Sequence, residues 1–398
     1  MILRCLTLTL LLTATSAAQP EASLPQLSPQ AEVSLLTMLP GDEVYALYGH
    51  TAIRIADPAL GLDRTYNYGN FDFDQPFFIA RFARGLLDYE LAVEEAQRTI
   101  DVYRFLERPI VAQRLALAPE ARQRLFQLLE ANSLPENRAY RYDFFFDNCS
   151  TRPRDILEAA LGQPLDYGTY KPAAATFRDL VAPYDEAMPL TDLGINLGLA
   201  VPTDRTATPR EAMFLPLELM RAFDTATLDG EPLVASTDTL FWVEGAGMPS
   251  AATDWPTGLA WILLALGGAL SGAARGKNAR PNLMRWFDVG LLGTVGLAGL
   301  ILGWLWLGTE HAVTGPNWNL AWAWPTHLAV AVLIARRNRP RGLRVYWLLT
   351  AVATFGVIAF LPMLPQDFPP IVLPLGVLIV LRAALRSLER KPEPSPSL

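Results

Sequence analysis

The chain has 398 residues, is 51% hydrophobic and has a mean hydropathy of +0.20, which is too apolar for a wholly soluble protein and too polar for one lying entirely within a bilayer. Its formal net charge is −7, an acidic balance that argues against nucleic acid as a partner.

In chain order, Arg4 precedes the apolar run Cys5–Leu12, and Ser16-Ala17-Ala18 follows. This has the form of a signal peptide over 1–18, cleaved after Ala18. Cys5 then sits too early to carry a lipid after cleavage. Residues 19–32 read as a short Pro/Gln/Ser linker. Val33–Leu39 and Glu43–Ile55 have strand composition and are separated by the turn chemistry of Pro40-Gly41-Asp42. Arg64–Asp74 alternates as a further strand, Pro76–Leu87 has helical spacing, and another strand is expected near Thr99–Phe105. Ala118–Ala131 predicts an amphipathic helix, and so does Ser150–Leu161, where Ile156, Leu157 and Ala160 share a face. Residues 163–256 are rich in Pro and Gly, with a helix expected near 212–223. The mixture is α+β.

From Thr257 onward five apolar runs of roughly spanning length follow: 257–274, 289–307, 320–335, 345–364 and 371–385. The first loop carries Arg275, Lys277, Arg280 and Arg285. The third carries Arg336, Arg337, Arg339, Arg341 and Arg344, and the tail Arg382, Arg386, Arg390 and Lys391. The second and fourth loops have no Lys or Arg. The excess of positive charge on cytoplasmic loops then orients five spans with a cytoplasmic tail and places residues 19–256 in the periplasm. A signal peptide demands the same orientation. The expected division is 1–18, 19–256 and 257–398. The last part carries net +8, and with Arg4 set aside, 19–256 carries −16.

Cys149 is the single cysteine of the expected mature chain, so it has no intramolecular disulfide partner. The histidines are His50, His311 and His327, so a Cys–His pair in the soluble part must join Cys149 to His50. Cys149 falls where a helix begins, a place where unpaired N–H groups favour a thiolate and can hold an oxyanion. Asp147 and Asn148 are plausible caps. His50 falls on a predicted strand. A strand-borne histidine facing a helix-borne cysteine is the papain-like arrangement, here with His before Cys, as a circular permutation would give. Asn67 is the first choice for the group orienting the imidazole, with Asn70 and Asp72 as alternatives. The polar flanks of Cys149 argue against an inert core thiol, whereas Phe144–Phe146 read as core. One Cys and one His fall short of a closed zinc site, and no metal or other cofactor is expected. Arg152 and Arg154, with Arg81 and Arg84, are candidates for a local basic patch that binds lipid phosphate. The second extracytoplasmic loop brings together His311, Asn317, Asn319 and His327 among Trp318, Trp322 and Trp324. An aromatic belt explains the tryptophans. The polar residues are functional candidates.

These features resemble the Lnb family of bacterial lipoprotein N-acyltransferases. The likeness rests on the stretches Tyr48–Arg54, Tyr66–Phe73, Asp147–Asp155 and the loop from His311 through Asn317-Trp318-Asn319 to Pro325. It implies a periplasmic domain similar to permuted papain-like (NlpC-type) folds, with Cys149 as nucleophile and His50 as base. It also implies transfer of an acyl chain from a membrane phospholipid, through a thioester, to the α-amine of a diacylglyceryl lipoprotein at the bacterial inner membrane. Substrate-binding candidates are Tyr48, Arg152, Arg154, His311, Asn317 and Asn319. The competing enzymatic reading is a membrane-anchored thiol hydrolase of peptidoglycan or peptides.

Overall fold

The computed structural model describes residues 24–70, 77, 81, 84–86, 88–273, 281–337, 340 and 342–389. The expected signal peptide, Asp72 and most of the helix expected over 76–87 lie outside the described residues.

Seven strands form one antiparallel sheet: β1 (Glu32–Met38), β2 (His50–Asp57), β3 (Leu62–Asn70), β4 (Asp88–Glu95), β5 (Ile110–Leu115), β6 (Ala139–Arg141) and β9 (Val234–Phe241). Their order is β6-β4-β3-β2-β1-β5-β9, and β7 (Thr227–Leu228) with β8 (Glu231–Pro232) makes a separate small hairpin. The stretch 43–55, expected as one strand, contains a 3-10 turn at Val44–Ala46 and then β2. The strand expected near 99–105 is instead helix α1 (Ala96–Phe105). Its β-branched and aromatic residues suggested a strand, but Ala96, Thr99 and Ile100 are buried at i, i+3 and i+4, a helical period. The strand lies just before it, as β4.

The sheet has helices on both faces. On one, α2 (Pro119–Ser133) buries Ala121, Leu125, Phe126 and Leu129, and α3 (Thr151–Leu161) buries Leu157 and Ala160, against Val33, Leu35, Ile53, Ile55, Tyr66 and Tyr68. The buried phenols of Tyr66 and Tyr68 donate to Glu130 and Asn132 of α2, at 2.5 and 2.6 Å. On the other face, Leu36, Met38 and Ala52 pack with Ile100 of α1. Strand alternation makes this division, since successive residues point to opposite faces. A second core gathers α4 (Phe177–Asp185), capped by Thr176 and Asp179, around Phe145 and Phe214. Next come α5 (Pro189–Gly198), α6 (Pro209–Ala212) and α7 (Pro216–Thr225).

The C-terminal part is helical: α8 (Trp255–Ala273), α9 (Pro281–Gly308), α10 (Thr326–Ala335), α11 (Leu343–Ala359) and α12 (Val372–Leu388). Among the described residues, three stretches are long and apolar enough to cross a membrane: Trp255–Ala273, Asn282–Gly308 and Trp318–Ala335. The third joins a 3-10 turn (Trp318–Ala321) to α10. Leu343–Ala359 is apolar but shorter. In α12, Arg382 and Arg386 converge on the buried Asp288 of α9, and Arg382 also donates to Ser271 of α8. Charges persist in such surroundings only when paired and hydrogen-bonded.

The strand register gathers one end of every long strand on the same side. Met38 pairs with His50 and Ile110, Ile110 with Phe241, Asn70 with Glu90, and Asp88 with Arg141. The helical part touches this end: the Glu310 amide donates to the Arg84 carbonyl (2.9 Å), and Arg141 pairs with the Glu310 carboxylate (3.2 Å).

Candidate active site

His50 opens β2, and Cys149 sits two residues before α3. The two side chains lie close enough for each to shift the other's pKa, and Asn67 of β3 also meets the imidazole, with its Oδ1 2.5 Å from His50 Nε2. Nε2 is therefore taken by Asn67, which leaves Nδ1 for the thiol. Burial pulls the His50 pKa down, but the Cys149 charge and the hydrogen bonds to Cys149 and Asn67 outweigh it, and the net shift is upward. For Cys149, burial pushes the thiol up. The His50 charge and hydrogen bond, the Thr51 amide and the Ser150 hydroxyl together bring it below its ordinary value. Both shifts favour a thiolate beside an imidazolium, the activated state of a sulfur nucleophile.

Asn148 fixes the approach to the helix. Its Oδ1 accepts from the amides of Ser150 (2.8 Å) and Thr151 (3.0 Å), and its Nδ2 donates to the carbonyls of Phe144 and Phe214. This satisfies first-turn donors that would otherwise be orphaned. It also modifies the oxyanion expectation, because the Ser150 and Thr151 amides are already engaged. Ser150 Oγ meets Thr51 Oγ1 at 3.1 Å, so the nucleophile's neighbour is tied to the base's neighbour.

Behind His50 lie two residues that sequence reasoning missed. Tyr103 of α1 stacks parallel to the imidazole at 6.4 Å, and the Arg108 guanidinium lies 4.9 Å from the Tyr103 ring centre. Buried Arg108 donates twice to the Leu39 carbonyl. Its charge opposes the upward shift of His50. No motif marks either residue, because only the packing of α1 onto β2 brings them there. Burial pushes Tyr103 up to about 12 and Tyr142 well above the usual tyrosine value, so both phenols are neutral at physiological pH. Among the described residues, no group of three or more His, Cys, Asp or Glu side chains could hold a metal ion.

Two family descriptions match the sequence: the Lnb N-terminal periplasmic domain over residues 18–182, and the Lnb transmembrane domain over 250–392. The chain belongs to the Lnb family. It is accordingly a lipoprotein N-acyltransferase-like membrane protein with a periplasmic part. No curated protein and no solved structure matches it.

Within this Lnb chain the remaining candidates are dispersed. Arg152 is held by Asp147 through two hydrogen bonds (2.6 and 2.7 Å) and lies 3.6 Å from the Tyr140 ring centre. Arg154 is buried, with Asp155 and the Arg210 carbonyl as partners. Arg81 bonds Asp88 and the Leu86 carbonyl, and Arg84 is exposed. The four arginines therefore do not form one free basic patch. Tyr48 donates to buried Asp185 at 2.6 Å and packs on Phe144. Asn70 bonds Glu90 instead of His50.

The loop candidates divide as well. Asn317 is buried and donates to the carbonyls of Leu197 and Gly198 at the end of α5, and Asn319 also reaches Leu197. With Ala200 N to Val313 O at 2.8 Å, these bonds fasten the periplasmic part to the helical part. His327 is buried between the Trp322 carbonyl and the Tyr346 hydroxyl. His311 is exposed and lies against Gly85, whose φ of +71° favours glycine, and a Cβ there would sit 3.2 Å from the imidazole.

Proposed function

We propose that this protein is a lipoprotein N-acyltransferase of the bacterial inner membrane, with a permuted papain-like domain over 19–256 facing the periplasm and five spans over 257–398. The observation that carries this reading is the Cys149–His50–Asn67 arrangement on a chain that also crosses a membrane. The Cys149 thiolate attacks an ester carbonyl of a glycerophospholipid. The ester C–O bond breaks, the leaving lysophospholipid oxygen takes the proton held by His50, and the acyl chain remains on sulfur as a thioester. The neutral α-amine of a diacylglyceryl lipoprotein then attacks that carbonyl. The thiolate leaves and His50 accepts the amine proton. Asn67 keeps the ring oriented through both steps. An α-amine with a pKa near 8 is mostly protonated at neutral pH, so a base at the thioester matters in the second step.

In this reading Asn317 and Asn319 act by seating the domain on its anchor, and Arg152 by bracing the Cys149 turn. Holding the domain at the bilayer where both substrates lie raises their effective concentration. The test is mass spectrometry of lipoprotein N-termini from cells carrying wild-type or Cys149→Ala protein. The wild type should yield N-acylated termini and the variant free amines. N-acylation by folded Cys149→Ala protein would refute the thioester route.

A further inference from the structure

The end of the sheet that holds the dyad also carries an apolar rim. The 3-10 turn exposes Val44 and Tyr45, the last turn of α1 and the residue after it expose Val102, Phe105 and Leu106, and Trp242 follows β9. Tyr45 is 69% and Phe105 86% exposed, so these large side chains are not partly covered core residues. Arg108 joins the two main segments. It donates to the Leu39 carbonyl, lies against Gly41, whose amide donates to the Ala46 carbonyl of the turn, and its amide bonds the Tyr103 carbonyl on α1. Tyr103 in turn stacks on His50, so the segment that carries Val102, Phe105 and Leu106 reaches the dyad through Tyr103.

We propose that this rim inserts into the outer leaflet of the membrane that the chain itself spans, so that the dyad opens onto lipid rather than onto bulk water. Three observations fix that occupant. The loop between α9 and α10 meets the domain at this same end, through Glu310 with Arg84 and Arg141. The chain leaves β9 at this end and enters α8 at Trp255. The opposite end, with the β2–β3 turn at 58–61, makes no such contact among the described residues. The rim's composition sets the depth. Tyrosine and tryptophan suit the headgroup boundary, where one part of the ring is wet and the other apolar. Asp42, Glu43 and Glu107 flank it and would not enter hydrocarbon unpaired. The insertion is therefore interfacial. This surface depends on the membrane assignment and not on acyl transfer.

The experiment uses the full chain in phospholipid nanodiscs, in a Cys5→Ser, Cys149→Ala background. Single Tyr45→Cys, Phe105→Cys and Leu60→Cys variants carry a fluorophore, and quenching is measured with nitroxide on the lipid headgroup or upper acyl chain and with a water-soluble quencher. Labels at 45 and 105 should be quenched by lipid nitroxide several-fold more than the label at 60, which should respond to the aqueous quencher. Labels at 45 and 105 that behave like the one at 60 would overturn the proposal. So would labels shielded from both quenchers, because a second copy or another protein would then cover the rim. Two rim sites guard against one variant misfolding. Lipid contact at 45 and 105 without N-acylated lipoproteins in cells would remove the proposed function and leave this surface standing.

Discussion

Asn67→Ala isolates the hydrogen bond that holds the imidazolium. In the wild type, His50 Nε2–H donates to Asn67 Oδ1 at 2.5 Å, and this bond raises the His50 pKa. A hydrogen bond to a charged group contributes about 1.5–3 kcal/mol. The bond favours the charged imidazole, so its loss lowers the His50 pKa. The His50 charge is in turn the leading influence that brings Cys149 down, so the thiol pKa rises as the imidazolium is lost. The substitution therefore works against the thiolate–imidazolium pair through both partners. The assay is the rate of alkylation by iodoacetamide against pH in detergent, in a Cys5→Ser background where Cys149 is the sole thiol. Wild-type reactivity should persist well below the ordinary thiol pKa, and the Asn67→Ala profile should move to higher pH. Superimposable profiles would refute the reasoning, because Asn67 would then contribute nothing to the charged state of His50.

Asp185 should make the fold sensitive to pH. Burial, with repulsion from Asp192 and Glu186, lifts its pKa to about 7 despite the hydrogen bond from Tyr48. The folded protein thus holds this proton more tightly than the unfolded chain, and stability falls as pH rises from about 4 to about 7. A gap of about 3 units corresponds to about 4 kcal/mol at most. Asp185→Asn should therefore raise the thermal midpoint at pH 8 and leave it nearly unchanged at pH 4. Equal shifts at both pH values would exclude titration as the cause. Asn317→Ala leaves the Leu197 and Gly198 carbonyls without their main donor, at about 1–3 kcal/mol. Hydrogen exchange should then accelerate in 197–204 and 311–320 while β2 and β3 stay protected, and unchanged exchange would show that the clamp adds nothing.

Much of the site was legible in the sequence because its chemistry is scarce. With a single cysteine expected in the mature chain and a single histidine before the apolar runs, Cys149 and His50 could be paired without knowing the fold. Polar flanks before a helical pattern placed Cys149 at the start of α3. The membrane part announced itself through the apolar runs, and among the described residues three stretches meet the length and hydropathy of a span. Those signals are local: they depend on composition and period within one segment.

What the sequence left open depended on contacts between segments. Asn67 and Asn70 are three residues apart on β3. Asn67 shares the face of His50, whereas the irregular register between Tyr68 and Asn70 gives Asn70 to Glu90. Arg152 looked free in the sequence, but a turn of chain returns it to Asp147. The residues of α1 resembled a strand until burial of Ala96, Thr99 and Ile100 on the sheet selected the helical period. Asn317 and Asn319 were recognisable as polar residues at a membrane edge. Only the tertiary structure shows that their partners are carbonyls some 120 residues earlier, at the end of α5. Sequence fixes which groups a segment can offer. A hydrogen bond's short reach makes its partner a matter of packing.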